Sequence, residues 1–396
     1  MLILLILFTG LLLAGTVELW AHKRKIKQIP YRVHVNGTRG KSSVTRLISA
    51  ALRAGGRRVF AKTTGTLPQM IFPDGSELPV YRASKANIIE QLRIFRVAAE
   101  NEAEVLVIEC MALQPTLQSL CELKLVQATH GVITNARADH LDVMGPDEVN
   151  VAEALLGTTP VGQKLFTCER DYLKEFQTAC DDRGSELVAI SLDEANEISD
   201  EEMLGFSYVE HKDNVALALS VAKDFGIERE VALKGMYEVT ADIGALHEFS
   251  LDYFGRQLIL INGFAANDPE STEMIWDIAL ARHDDAQQKV MIINCRADRP
   301  DRSRQMGECI AGWAPADYYV VIGSGVYPFM QGALESGISP NKLVYAERMS
   351  GVEIFEKLLS ISTPHTMFMG ICNIKGPGLE LIQFFKNRST STVIGR

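Results

Sequence analysis

The feature that most constrains the fold is a glycine-containing loop between a strand pattern and a helix pattern near the amino end. Val33 and Val35 alternate with polar residues, as in a strand, and the segment VTRLISAALRAG that begins at Val44 has the apolar spacing of a helix. Between them stands GTRGKS, residues 37–42, whose two glycines permit a tight turn. A strand, loop and helix joined in this way direct backbone N–H groups and the positive helix end at one point, which suits a polyanionic phosphate. The pattern predicts a phosphate-binding loop rather than an ordinary βα turn with a surface lysine.

Two side chains of this loop have predicted roles. Lys41 is expected to lie against the β- and γ-phosphates of a nucleoside triphosphate, and the Ser42 hydroxyl is expected to hold Mg²⁺. The usual spacing G-x-x-x-x-G-K-[ST] is not met, because Val35 stands where its first glycine belongs. The loop is therefore a shorter glycine arrangement.

The first residues predict a membrane anchor. Met1 to Val17 is almost wholly apolar, and Trp20 and the basic run HKRKIK follow it. A cleaved signal peptide carries its positive charge before the apolar run, and a lipoprotein signal needs Cys where Thr16 stands. We therefore expect a transmembrane anchor over residues 1–21 and a basic juxtamembrane linker over 22–31. The basic run predicts a single-pass protein of the cell membrane whose following domains lie in the cytoplasm.

The bulk properties exclude some classes of protein. The 396-residue chain has a net charge of −10, which gives no reason to expect nucleic acid as a partner. Its seven Cys residues are scattered without a C-x-x-C pair, which argues against structural zinc and against a disulfide framework.

The rest of the chain predicts two α/β domains. Strand and helix patterns alternate from Arg32 to about Ala245, which indicates a mainly parallel sheet. The alternation of strand and helix patterns begins again after Phe249. It indicates a Rossmann-like unit that lacks G-x-G-x-x-G after its first strand. We place an ATP-binding domain at 32–248 and a carboxyl-terminal domain at 249–396.

Two further residues are candidates for metal binding or catalysis. Glu109 closes the buried strand pattern AEVLVIEC, where a carboxylate is costly unless it is paired or bound to metal. His140 lies between Asp139 and Asp142, and this setting fits a metal ligand and a structural hydrogen-bond donor equally well. In the second domain, three arginines fall in the loop NCRADRPDR and could neutralise phosphate charge, although a solvated charged loop explains them as well.

Taken together, these residues resemble the Mur ligase superfamily, which includes the peptidoglycan amino-acid ligases and folylpolyglutamate synthetase. The likeness covers about residues 32–376: GTRGKS matches the family's phosphate loop, Glu109 its Mg²⁺-binding glutamate, and NARADHLD its N-x-x-x-D-H motif, whose His binds a second Mg²⁺. The loops NGFAANDP and CRADRPDR resemble those that reach adenine, ribose and phosphate. The resemblance implies ATP and two Mg²⁺ ions as cofactors, and Lys41, Glu109 and His140 as catalytic residues. It implies metal ligation by Ser42, Glu109 and His140, and nucleotide contacts from Gly37, Thr38, Arg39, Gly40, Lys41, Ser42, Ser43, Asn267, Arg296, Asp298 and Arg299.

A narrower likeness is to the ligase subunit of bacterial poly-γ-glutamate synthase, the capsule-forming enzyme. KTTGT, IECMA, ADHLDVMGP, NGFAANDPEST and the apolar amino end carry it. It implies ATP-dependent polymerisation of glutamate through γ-linkages by way of an acyl phosphate, with the growing chain and other membrane subunits as partners, and it leaves a homo-oligomer open. Two alternatives stand: a membrane-anchored NTPase that energises polymer export, and a Mur or folylpolyglutamate-type ligase with another substrate.

The chain departs from the family pattern at several positions. The family's carbamylated lysine is expected near Ala154–Gly157, and no Lys lies between His140 and Lys164. The family's G-R-x-E appears as Gly244–His247, without the arginine. Asn262 replaces a leading Asp, Ala266 replaces a His, and there is no room for the UDP-substrate domain.

Overall fold

The fold is seen in a computed structural model, which describes residues 1–65, 68–82, 86–206, 208, 210–239, 247–264 and 269–389. The chain divides into two compact units. The first comprises residues 1–206 and 210–242, and the second comprises residues 207–209 and 243–396. Each unit is built around its own sheet, as the repeated strand–helix rhythm predicts.

The first unit holds eight strands and eleven α-helices in its described residues. The strands are β1 Tyr31–Asn36, β2 Val59–Lys62, β3 Gln69–Ile71, β4 Glu77–Pro79, β5 Val105–Glu109, β6 His130–Ile133, β7 Lys164–Thr167 and β8 Glu186–Ala189. The helices are α1 Leu2–Gln28, α2 Lys41–Ala54, α3 Glu90–Glu100, α4 Pro115–Leu120, α5 Leu141–Met144, α6 Glu148–Leu155, α7 Leu173–Arg183, α8 Leu192–Asn196, α9 Asp200–Met203, α10 Lys212–Asp224 and α11 Arg229–Tyr237. A π-helical segment, Cys121–Val126, continues from α4.

The sheet of the first unit has the order β4-β3-β2-β5-β1-β6-β7-β8. All pairs are parallel except the β2–β3 and β3–β4 pairs at one edge. The central strand β1 lies between β5 and β6, and Val35 of β1 is paired with Glu109 at the end of β5. This register brings the phosphate loop after β1 next to the predicted metal-binding carboxylate, because the carboxyl ends of parallel strands meet at one edge of a sheet.

The amino end forms a long apolar helix, and within the described chain it is the one helix that is long and apolar enough to cross a membrane. The residues that we expected to form a linker, 22–31, are helical as far as Gln28. Two apolar side chains of this stretch, Ile26 and Ile29, are buried in a core cluster with Phe60 and Phe95. The carboxyl-terminal end of α1 is therefore packed against the first unit.

The second unit contains six described strands and five helices. Its strands are β9 His247–Tyr253, β10 Arg256–Asn262, β11 Gln288–Cys295, β12 Tyr318–Gly323, β13 Leu343–Glu347 and β14 His365–Ile371. Its helices are α12 Pro269–Arg282, α13 Pro300–Cys309, α14 Tyr327–Glu335, α15 Gly351–Ile361 and α16 Pro377–Lys386. The sheet order is β13-β12-β11-β14-β10-β9, parallel except for the β9–β10 pair, and an apolar cluster covers each face.

The structure confirms the predicted fold class: an α/β protein with mainly parallel sheets, an amino-terminal apolar helix and a Rossmann-like second unit. One local prediction differs. The sequence from Ser84 to Asn101 predicts a helix with Ser84 as its N-cap; α3 begins at Glu90, and Ser84 itself lies outside the described residues. The acidic run 193–202, which its charge predicts to be solvated, is mostly exposed; it contains parts of α8 and α9, where Ser191 and Ser199 each close a capping box.

Candidate functional site

The phosphate loop joins β1 to α2 through two glycines with positive φ. Gly37 has φ +132° and Gly40 has φ +77°. A Cβ at position 37 would collide with Thr134, and one at position 40 would lie 2.7 Å from the Asn214 amide oxygen. Both positions require glycine for backbone conformation and for close approach. Asn214, at the start of α10, bounds this loop, a position that no sequence pattern predicts.

Asn135, at the end of the β6 segment, fixes the loop from the other side. Its side-chain oxygen accepts hydrogen bonds from the Thr38 hydroxyl at 2.6 Å and from the Arg39 N–H at 3.1 Å. The Thr38 N–H donates to the Asn135 carbonyl oxygen at 3.0 Å. The N-x-x-x-D-H motif thus begins with a residue that shapes the phosphate loop.

Lys41 lies inside this loop. Its ammonium donates to the carbonyl oxygens of Gly37 at 2.6 Å and of Thr38 at 3.2 Å. Burial lowers the pKa of Lys41, and the nearby carboxylates of Glu109 and Asp139 oppose this shift. A cation held at the loop, among N–H groups at the start of α2, is suited to contact the terminal phosphates of a nucleotide.

Glu109 is 2 % exposed and is held by hydroxyl and amide donors. Its Oε2 accepts from the Ser42 hydroxyl at 2.8 Å and from the Thr64 N–H at 2.6 Å, and its Oε1 accepts from the Thr64 hydroxyl. Thr64 belongs to the hydroxyl-rich loop after β2. The structure therefore brings Ser42 and Glu109, two of the three predicted metal ligands, into direct contact.

The paired oxygens of Ser42 and Glu109 fit Mg²⁺. Magnesium prefers oxygen ligands, keeps several waters, and is held in nucleotide sites by one or two protein side chains together with phosphates. Within the described chain no three His, Cys, Asp or Glu side chains converge as a metal cluster, so this part of the protein offers no all-protein cage. A hydroxyl and a carboxylate 2.8 Å apart, beside a phosphate loop, are the donor set that such a shared site needs.

His140 lies in the loop before α5, with φ +50°. Its Nε2 is 3.9 Å from the Asp139 carboxylate, which is itself 3.6 Å from the Arg39 guanidinium. Ala154–Gly157, where the family's modified lysine is expected, forms the end of α6 and the turn after it. His140 is thus placed near the phosphate loop with Asp139 as a carboxylate neighbour and without a lysine from that segment.

A cavity of about 210 Å³ opens beside the loop. It brings together predicted residues and residues that the sequence analysis missed; its lining includes Lys41, Thr64, Arg82, Cys110, Asp139 and His140. The sequence around Thr64 indicates a ligand-binding position, because its hydroxyl-rich loop follows the end of a strand. No sequence pattern indicates Arg82 as a site residue. It follows the β4 edge strand, and its guanidinium makes a bidentate ion pair with Glu90.

The second unit places Arg296, Asp298 and Arg299 in the loop between β11 and α13. Arg296 makes a bidentate ion pair with Asp298, at 2.9 and 2.5 Å, which lowers the pKa of that carboxyl. Arg299 stands at the start of α13, and its N–H donates to the Arg296 carbonyl at 3.0 Å. Asn267, the remaining predicted nucleotide contact, lies outside the described residues, as do Ala266 and residues 244–246.

Comparisons with known proteins agree with this arrangement. Residues 35–245 match the Mur ligase middle domain, and residues 249–388 match the poly-gamma-glutamate synthase CapB C-terminal domain. The chain is 37% identical over 380 residues to the capsule biosynthesis protein CapB of Bacillus anthracis, covering 94% of this chain and 80% of that one. It is 35% identical over 383 residues to the PGA synthase CapB of Bacillus subtilis (strain 168), covering 96% of each.

Solved structures show the same fold at low identity. The E. coli FolC complex with ADP superposes with a TM-score of 0.69 at 13% identity, covering 93% of this chain and 92% of that one. A bifunctional folylpolyglutamate synthase/dihydrofolate synthase with Mn, AMPPNP and L-glutamate bound gives a TM-score of 0.65 at 14% identity, with 92% of each chain covered. The chain therefore belongs to the Mur ligase family and, within it, to the CapB group of poly-γ-glutamate synthases.

Proposed function

We propose that the chain is an ATP-dependent amide ligase that polymerises glutamate through γ-linkages. The observation that carries this proposal is the contact of Ser42 with Glu109 beside the Lys41 loop, in a chain of the CapB group. The relatives are named for capsule biosynthesis and PGA synthesis, and a protein of the same fold was crystallised with Mn, AMPPNP and L-glutamate. These names support glutamate as the amino acid and ATP as the energy source.

In the proposed reaction, the γ-carboxylate at the end of the growing chain attacks the γ-phosphate of ATP. An acyl phosphate and ADP form, and the amine of the next glutamate then displaces phosphate to give the amide. Lys41 and the backbone N–H groups of residues 37–43 stabilise the charge of the transferring phosphoryl group. Ser42 and Glu109 would hold Mg²⁺, which would neutralise charge on the phosphate oxygens.

The other predicted site residues complete the proposal. His140 is proposed as a ligand of a second ion. Asn267, Arg296, Asp298 and Arg299 are proposed to contact the nucleotide. We also propose that α1 spans the cell membrane with both units in the cytoplasm and that further membrane subunits join the chain; a single helix cannot enclose a pore for the polymer.

The test uses the full chain in membranes with ATP, Mg²⁺ and one amino acid at a time. The proposal predicts phosphate release and polymer formation with glutamate, and a hydroxamate when hydroxylamine traps the acyl phosphate. ATP hydrolysis that needs no amino acid and yields no hydroxamate would contradict it and would favour an NTPase that energises export. Amide formation with a different amino acid or with a folate-like acceptor would support the ligase reaction but would contradict glutamate polymerisation.

A further inference from the structure

The apolar helix α1 is fixed to the first unit immediately after its apolar segment ends. All described side chains from Ile3 to Ala21 are exposed, and His22 is the first buried one. Its Nε2 lies 2.7 Å from the Leu125 carbonyl oxygen, and its ring packs edge-on against Phe95 at 5.1 Å between centroids. These contacts set the height of α3 and of the π-helical segment relative to the apolar part of α1.

That height is close to the end of the proposed membrane span. A helix rises about 1.5 Å per residue, so His22 lies about 3 Å beyond Trp20 along the axis of α1. Trp20 is the aromatic residue expected at a membrane interface, and the Arg24 guanidinium lies 5.8 Å from the centre of its ring. Leu125 and Phe95, which contact His22, therefore lie within a few ångströms of the interface.

Exposed basic and apolar side chains neighbour these two contact residues in the sequence. Lys124 precedes Leu125, and Arg96 follows Phe95; both are exposed. Leu120 and Leu123 are 41 % and 38 % exposed, while Cys121, Glu122 and Val126 of the same segment are buried. The segment thus has one buried face and one exposed face of leucines and a lysine. We refer to Arg96, Leu120, Leu123 and Lys124 as the membrane-proximal face.

We propose that this face contacts anionic lipid headgroups, with Leu120 and Leu123 entering the interfacial layer. The inference rests on the proposed insertion of α1 in the membrane, which brings the face to the bilayer. Because the whole chain carries a charge of −10, an anionic membrane repels it in general, and a basic and apolar surface at this height offsets that repulsion. The first unit is then held on the membrane surface by two contacts, the span and this face.

The test measures the depth of a fluorophore on the full chain in phosphatidylglycerol vesicles. The background carries Cys309→Ser, since Cys309 is the one half-exposed thiol among the cysteines, and the label is attached at Leu123→Cys or, separately, Leu120→Cys. The control label is at Leu204→Cys, which is 81 % exposed and lies just after α9. We expect nitroxide lipids to quench the labels at 123 and 120 but not at 204, and aqueous iodide to quench in the opposite order.

Equal iodide quenching at 123, 120 and 204 would overturn the proposal. Protection from iodide without quenching by nitroxide lipid would also overturn it, because a second copy of the chain would then cover the face. The experiment measures the depth of the label in the membrane and not the rate of catalysis, so its outcome does not depend on the ligase activity.

The charge of the face is tested by Lys124→Glu, with the exposed Lys174→Glu on α7 as its matched control. One basic residue near an anionic surface favours contact by about fivefold. Reversal of its charge should therefore lower the ratio of docked to undocked chains by more than about fivefold. Nitroxide-lipid quenching of the label at position 123 measures this ratio. Phosphatidylcholine vesicles should weaken docking of the unmodified chain in the same direction. Unchanged lipid quenching in Lys124→Glu would contradict the charged contact.

Discussion

Glu109 is the residue on which the site depends most. A carboxylate with 2 % exposure would be unstable in an apolar strand end, yet the Ser42 hydroxyl and the Thr64 amide and hydroxyl all donate to it. These donors keep the carboxylate in place beside the phosphate loop. The arrangement makes the group available to an ion that is shared with phosphate oxygens.

Replacement of Lys41 by Ala should lower the rate of product formation by about 10³-fold, because no fixed cation then stabilises the charge of the transferring phosphoryl group. The fold should remain, since the ammonium donates to carbonyl oxygens of its own loop, those of Gly37 and Thr38. Steady-state turnover and circular dichroism check both points, with the exposed Lys174→Ala as control. Near wild-type product formation in Lys41→Ala would contradict the phosphate-loop assignment.

Replacement of Glu109 by Gln should raise the Mg²⁺ concentration needed for half-maximal activity by at least about tenfold, the cost of disturbing even an indirect partner of a metal site. The amide keeps the size of the side chain but removes the negative charge that Mg²⁺ requires. A Mg²⁺ titration of turnover measures the effect, and the exposed Glu201→Gln should leave it unchanged. Identical titrations for Glu109→Gln and the parent would remove Glu109 from the metal site.

His34 should make stability depend on pH in the alkaline range. Burial lowers its pKa, but the Glu122 carboxylate, 2.7 Å from its Nδ1, and the neighbouring Cys110 outweigh burial and raise the pKa to about 9 from its ordinary 6.5. The protonated form therefore contributes stability that is complete below about pH 6.5 and is lost as pH rises through about 9. Thermal midpoints between pH 6 and about 10 should fall more steeply in the parent than in His34→Gln, whereas the exposed His211→Gln keeps the parent slope. Equal slopes in the parent and His34→Gln would contradict this account.

At the scale of elements, α1 has two parts with different surroundings. Residues 2–21 of this helix are exposed wherever their side chains are described, whereas its last seven residues, 22–28, pack against the first unit through the buried side chains of His22 and Ile26. The basic run, interpreted from the sequence as a linker, is thus also a packing element. Sequence alone could not show this, because the two buried positions are interspersed with exposed Lys and Arg side chains.

Deletion of residues 1–21 should release the chain from the membrane with its fold intact, because the buried turn remains. Deletion of residues 1–28 should in addition lower the free energy of unfolding by about 2–5 kcal/mol, the usual cost of removing one large apolar side chain from a core. Membrane fractionation and urea unfolding distinguish the two truncations. Retention of the shorter deletion in the membrane fraction would indicate another anchor, and equal stability would show that the turn does not support the core.

Regular strand and helix patterns made most of the fold predictable. The five parallel strands of the second unit follow from apolar runs between polar loops. The antiparallel strand β9 and the edge strands β3 and β4 were not foreseen, because their residues mix polar and apolar types. In the site, GTRGKS and Glu109 carry local signals, whereas Arg82 and Asn214 reach the cavity or the loop through long-range packing alone.

At the scale of the whole molecule, the chain combines a proposed membrane span, a unit with a phosphate loop and a second α/β unit. The Mur ligase middle-domain match and the CapB carboxyl-terminal match follow one another along the chain, at 35–245 and 249–388. Under the proposed function, the acceptor of this chain is a growing polymer.

The central claim, that a carboxylate is activated as an acyl phosphate, is tested most directly with an acceptor chain and incoming glutamate that both carry ¹⁸O in the γ-carboxylate. Attack on the γ-phosphate forms an O–P bond, and displacement by the amine breaks the C–O bond of the same oxygen. The account predicts one ¹⁸O in the released phosphate for each amide bond formed, measured by mass spectrometry of phosphate and polymer together. Amide formation with unlabelled phosphate would contradict it.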